Sequence, residues 1–166
     1  MHIEDDITNN NLIINNSEET TINISSIINS NNEEYLFNPI IQLIINCCNN
    51  IFKHIGLGFI EYIYHKALLV DLYKTNYNIE TKKILPIYYN DINIGYVEPD
   101  IIVETDKYYI IIELKAFDKN IGKKEELQIN KYINHIQTNK IIIGIIINFN
   151  QNINNIDSKN IQYKII

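Results

Sequence analysis

The run Ile110-Ile111-Ile112-Glu113-Leu114-Lys115-Ala116 is apolar and β-branched until it ends in two opposite charges, two positions apart. Apolar residues at consecutive positions mark a strand buried on both faces, which requires cover from both sides. A second run of this kind, Ile141 to Ile147, follows after a helical stretch. The strand it marks, Lys140 to Phe149, reads as parallel to the first, reached by a helical crossover. In a strand, side chains at i and i+2 share a face, so Glu113 and Lys115 project side by side. Buried charge is costly unless it is paired or holds a metal. An isolated E-x-K is by itself only an ion pair at a strand end, and chemistry there needs a second acid.

The rest of the chain supplies layers and that acid. Asn38-Pro39 is a helix start, with Asn as the N-cap and Pro at the first helical position. Ile40, Ile41, Leu43, Ile44, Cys47, Cys48, Ile51, Phe52 and Ile55 then recur at helical spacing up to the turn Gly56-Leu57-Gly58. A second helix is expected over roughly Phe59 to Lys74, with Tyr64, Ala67, Leu68 and Leu72 inward and Glu61 one turn before Tyr64 and His65. Lys83 to Tyr89 and Ile92 to Val97 flank Asn90-Asp91 as a hairpin. Pro99 to Glu104 and Tyr108 to Lys115 form the next antiparallel pair, which brings Asp100 level with Glu113. Lys123 to Gln137 reads as a helix with Leu127, Tyr132, Ile133 and Ile136 inward, and Ile161 to Ile166 as a last edge strand. The order α-α-β-β-β-β-α-β-β describes an α/β sandwich around a mixed sheet.

Charge enters because it bears on partners. The net charge is -6, yet Glu4, Asp5, Asp6, Glu18, Glu19, Glu33 and Glu34 all precede Tyr35 with no lysine among them. Residues 1–34 read as an acidic, Asn-rich, mobile tail, and residues 35–166 as the folded domain. Without the tail the chain is close to neutral, which neither favours nor excludes a nucleic acid. There is no arginine, so no bidentate guanidinium is available for phosphate. Cys47 and Cys48 are adjacent and badly placed to bridge each other. With no signal peptide and no apolar run long enough for a membrane, the expected setting is intracellular, cytoplasmic or nuclear. His54, His65 and His135 show no zinc spacing and are expected in surface or capping roles. Lys119, Lys123 and Lys124 form a basic cluster after the E-x-K strand. Tyr62, Tyr88, Tyr89, Tyr108 and Tyr109 are expected in packing.

One acid on a helix, one opening a strand and E-x-K closing its partner make a composite site. Carboxylates can hold a hard cation such as Mg²⁺, and a neighbouring lysine can serve a water or stabilise developing negative charge. Pro99-Asp100 followed by Glu113-Leu114-Lys115 resembles the PD-(D/E)XK nuclease superfamily. Gly58-Phe59-Ile60-Glu61-Tyr62-Ile63-Tyr64 spells the GxxExxY signature of one family within it. The resemblance continues through Ala67-Leu68, Ile94-Gly95, Ala116, Gln128, Tyr132 and Gly144 to Asn148-Phe149, and covers about residues 39–166.

It implies a restriction-endonuclease-like α/β sandwich and a metal-dependent nuclease acting on DNA ahead of RNA. The metal would be Mg²⁺, with Mn²⁺ as a substitute. Asp100, Glu113 and Glu61 would be metal ligands, Lys115 the catalytic lysine and Gln128 a positioning residue. The chain departs from the family pattern at Glu98, usually basic, at Phe52, often His, and at Leu57, often Pro. The alternative is a non-catalytic nucleic-acid-binding or protein-interaction module on the same scaffold. A homodimer is compatible with either reading.

Overall fold

The computed structural model describes residues 33–155 and 160–166. Most of the segment read above as a tail, residues 1–32, therefore lies outside the described residues. The chain runs α1 (Glu33–Leu36), α2 (Pro39–Ile55), α3 (Glu61–Leu72), β1 (Asn78–Thr81), β2 (Leu85–Tyr89), β3 (Ile92–Val97), β4 (Ile101–Glu104), β5 (Tyr108–Lys115), α4 (Lys123–His135), β6 (Ile141–Asn148) and β7 (Gln162–Ile165). Five strands form one sheet in the order β1-β4-β5-β6-β7. Among the described residues only β5 and β6 are parallel, joined by the α4 crossover. Helices α2 and α3 cover one face of the sheet and α4 covers the other. This is the α/β sandwich with a mixed central sheet that the sequence predicts.

Local chemistry accounts for the elements. The Asn38 side chain accepts the Ile40 N–H at 2.9 Å, which caps α2, and Gly56 ends the helix at φ +80°. Along β5, Ile110, Ile112 and Leu114 point into the α2–α3 layer, while Tyr109 and Ile111 point towards α4. Burying each such isoleucine contributes about 1.5–3 kcal/mol, so the central strands anchor both layers.

Several expectations need correction. The strand β1 carries only one apolar residue, Ile79, and has no periodic signature of its own. It exists because it pairs with β4, Thr81 opposite Ile101. It thereby takes the sheet edge, and the β2–β3 hairpin forms a separate two-stranded sheet. That hairpin turns on Asn90 and Asp91, both at positive φ, the geometry that suits a twisted two-residue turn. Helix α3 starts at Glu61, two residues later than predicted.

Leu127 does not face inward: it is 62% exposed, and Ile129 is fully buried in its place. The inward face of α4 is Glu125, Ile129 and Tyr132, at i, i+4 and i+7. The helix comes close because position 144 is glycine; a Cβ there would lie 3.1 Å from Ile129 Cγ2. Tyr62, Tyr88 and Tyr89, expected in packing, are exposed. Among the described residues no helix is long and apolar enough to cross a membrane.

Candidate active site

The β4–β5 ladder ends where Ile101 faces Ile112, so the Leu114 N–H lies beyond the last paired residue of β4. A buried N–H needs an acceptor, and Asp100 provides it: its Oδ2 accepts from Leu114 N at 2.9 Å. The Asp100 carboxylate is thus drawn inward and is 4% exposed. Its Oδ1 lies 2.5 Å from Lys82 Nζ. Its backbone carbonyl accepts from Lys82 N at 3.2 Å and from His65 Nε2, also at 3.2 Å. A carbonyl only accepts, so His65 carries its proton on Nε2. His65 is therefore a buried brace for Asp100 and not the surface or capping residue predicted. His135 does sit at a helix end, with Nδ1 2.7 Å from the Lys131 carbonyl.

Glu113 shares the α4-facing side of β5 with Ile111, by strand alternation. Its Oε1 accepts from Lys115 Nζ at 2.6 Å and from Gln128 Nε2 at 2.5 Å. The same Gln128 amide also donates to the Tyr132 hydroxyl at 2.7 Å. Its other oxygen, Oε2, is buried with no hydrogen-bond partner. Burial, then the charge of Asp100, push the Glu113 carboxyl up to about 7 against the opposing pull of Lys115. Burial and the Glu113 charge in turn raise the Tyr132 hydroxyl above its usual range.

Glu61 comes from the other layer. It opens α3, where the helix dipole favours an acid, and α3 packs on the face opposite α4. Its carboxyl is raised by burial and by Asp100 and lowered by Lys115, which puts it within electrostatic reach of the site. Among the described residues, however, no three His, Cys, Asp or Glu side chains come together as a ready metal cluster. Asp100 and Glu113 form the close pair, because both project from one end of the sheet. Glu61 comes from the first turn of α3, in the α2–α3 layer.

A second set of contacts sets the geometry around Glu61. Gly58, at φ +92°, donates its N–H to Gln151 Oε1 at 2.7 Å. The Tyr64 hydroxyl donates to the Gly56 carbonyl at 2.7 Å and accepts from Gln151 Nε2 at 3.2 Å. The Tyr64 ring stacks on Phe149 with centroids 4.2 Å apart. The glycine turn and the tyrosine thus clamp the start of α3 to the end of β6. Asn148 accepts the Phe117 N–H at 3.1 Å and donates to the Lys119 carbonyl at 3.0 Å, pinning the loop after the E-x-K strand. In the basic cluster, Lys119 lies 3.7 Å from Glu125, and Lys123 and Lys124 are exposed.

Lys82, His65 and Gln151 are the site residues that sequence reasoning missed. His65 had a usable signal, being one helical turn beyond Glu61 on the inward face of α3. Lys82 had none, because its role depends on β1.

A family model described as PD-(D/E)XK nuclease superfamily matches residues 38–160. No curated protein and no solved structure matches the chain.

Proposed function

The chain belongs to the PD-(D/E)XK nuclease superfamily, and on that premise we propose that it hydrolyses phosphodiester bonds with the help of a divalent cation, Mg²⁺ or Mn²⁺, and acts on DNA ahead of RNA. The observation that carries this reading is the Glu113 carboxylate: one oxygen is buried without a donor, beside a second buried carboxylate. Two acids in that position repel each other; Lys82 and Lys115 offset part of that repulsion, and the unpartnered Oε2 leaves a place for a further cation. The residues fit a hard metal, which one or two carboxylates can hold with waters completing the shell.

Asp100 and Glu113 would hold the ion, with Glu61 contributing from α3. When bound, it supplies Lewis-acid activation of water and neutralises charge on the phosphate. Lys115 presents an ammonium at the mouth of the pair, placed to orient a water or to stabilise charge on a phosphate oxygen. Gln128 fixes the orientation of Glu113, and His65 with the Leu114 N–H fixes that of Asp100. Within the superfamily, Gly58, Glu61 and Tyr64 support the GxxExxY branch. The domain would begin near residue 35, preceded by the acidic segment.

The test is a cleavage panel of single-stranded, double-stranded and branched DNA, with RNA counterparts, under Mg²⁺ and Mn²⁺. Wild-type protein is expected to cut at least one form. Asp100→Asn, Glu113→Ala and Lys115→Ala should each lose on the order of 10²-fold or more in rate, with unchanged circular dichroism. Intact substrates throughout, together with no saturable metal binding, would favour the non-catalytic module instead.

A further inference from the structure

Lys82 is the first residue past β1. Because Thr81 pairs with Ile101, Lys82 stands opposite Asp100 and holds it twice, through backbone and side chain. Its backbone lies at φ +53°, a left-handed conformation that non-glycine residues rarely adopt. The charge of Lys82 also faces Glu113 and Glu98.

Both Asp100 oxygens are therefore committed: Oδ2 to the Leu114 N–H, and Oδ1 to Lys82. The backbone donor cannot leave without opening the sheet. The lysine can, since its side chain is 51% exposed, whereas that of Lys115 is 17% exposed. A cation arriving at Asp100 must take Oδ1 from an ammonium whose stem already lies in solvent.

Resting on the metal-site reading above, we propose that Lys82 is a tethered competitor of the divalent ion: it neutralises Asp100 in the metal-free protein and is displaced from Oδ1 when the ion binds. The apparent metal affinity is then set by the difference between the two cations, so Lys82 raises the metal concentration at which the site fills. The device differs from the role of Lys115, whose ammonium sits on Glu113 and leaves the Asp100 oxygens untouched.

The experiment is calorimetric titration of the full chain with Mn²⁺ in wild type, Lys82→Asn, Lys82→Arg and Asp100→Asn, with Lys82→Asn repeated in the Asp100→Asn background. Asn tolerates the left-handed backbone, so the fold should be kept, and circular dichroism checks it. Lys82→Asn should bind Mn²⁺ roughly tenfold tighter, the scale of one charge-assisted contact. Lys82→Arg should stay near wild type, because the competing charge remains. In the Asp100→Asn background, Lys82→Asn should bring no gain.

Binding in Lys82→Asn that equals or falls below wild type would overturn the proposal. If that happens while wild type binds Mn²⁺ and Asp100→Asn does not, Lys82 alone has been misread. If neither wild type nor Lys82→Asn binds the ion, the metal-site reading falls and takes this inference with it.

Discussion

Glu113 is held by two donors yet remains strained by its surroundings. Its carboxyl is raised from 4.5 to about 7 by burial and by Asp100, so the native state keeps a proton that the unfolded chain has lost. Between those two values the native state binds more protons, and the stability of metal-free protein falls as pH rises. The loss is on the order of 3 kcal/mol across the window and levels off above it. Glu113→Gln should remove most of the slope, leaving the share that the raised Glu61 carboxyl contributes, and make the metal-free protein more stable than wild type at pH 8. Denaturant unfolding in chelator from pH 4 to 8 measures this. A wild-type profile flat over that range would contradict the geometry at Glu113. At this scale the acids and the lysine were legible from residue type and spacing. Lys82 was not, because its position carries no signal until β1 is brought to β4; His65 had the signal of its place one helical turn beyond Glu61, but its partner, the Asp100 carbonyl, comes from a distant strand.

Helix α4 shows what decides an element's orientation. Its apolar residues permit more than one inward face, and the bare surface at Gly144 selects the one that carries Ile129. Gly144→Val should force the helix away from β6 and cost about 1–3 kcal/mol. Ile129→Ala should cost about 2–5 kcal/mol through the cavity it leaves. Leu127→Ala, on the exposed side, should stay within about 0.5 kcal/mol. Equilibrium unfolding of the three variants tests the assignment, and a large loss for Leu127→Ala would reverse it. The same face carries Gln128 and Tyr132 to Glu113, so the packing that places Ile129 also places the site's polar support. Strand β1 teaches the opposite lesson. A four-residue, mostly polar segment becomes a strand because β4 offers an unpaired edge.

For the whole molecule, charge is unevenly spread. Seven of 20 acids precede Tyr35, which leaves 13 against 14 lysines in the remainder. Replacing those seven by their amides changes the formal charge from -6 to +1. Anisotropy titrations with a labelled duplex should then show tighter binding at low salt, and the advantage should fade as the Debye length shrinks to about 8 Å at 0.15 M. Equal affinity at all salt concentrations would mean that the acidic segment has no electrostatic bearing on a polyanion.

The sequence by itself determined the layered architecture, because runs of isoleucine at consecutive positions can be buried only between two layers of helix. It also determined the capped helix after Asn38 and the neighbourhood of Asp100 and Glu113, because strand alternation and a hairpin register are local rules. Only the tertiary structure decided which face α4 buries, that the hairpin stands apart from the main sheet, and that Glu61 comes to the site from the α2–α3 layer. Those outcomes depend on contacts between segments far apart in the chain, where a missing Cβ or an open strand edge outweighs local preference.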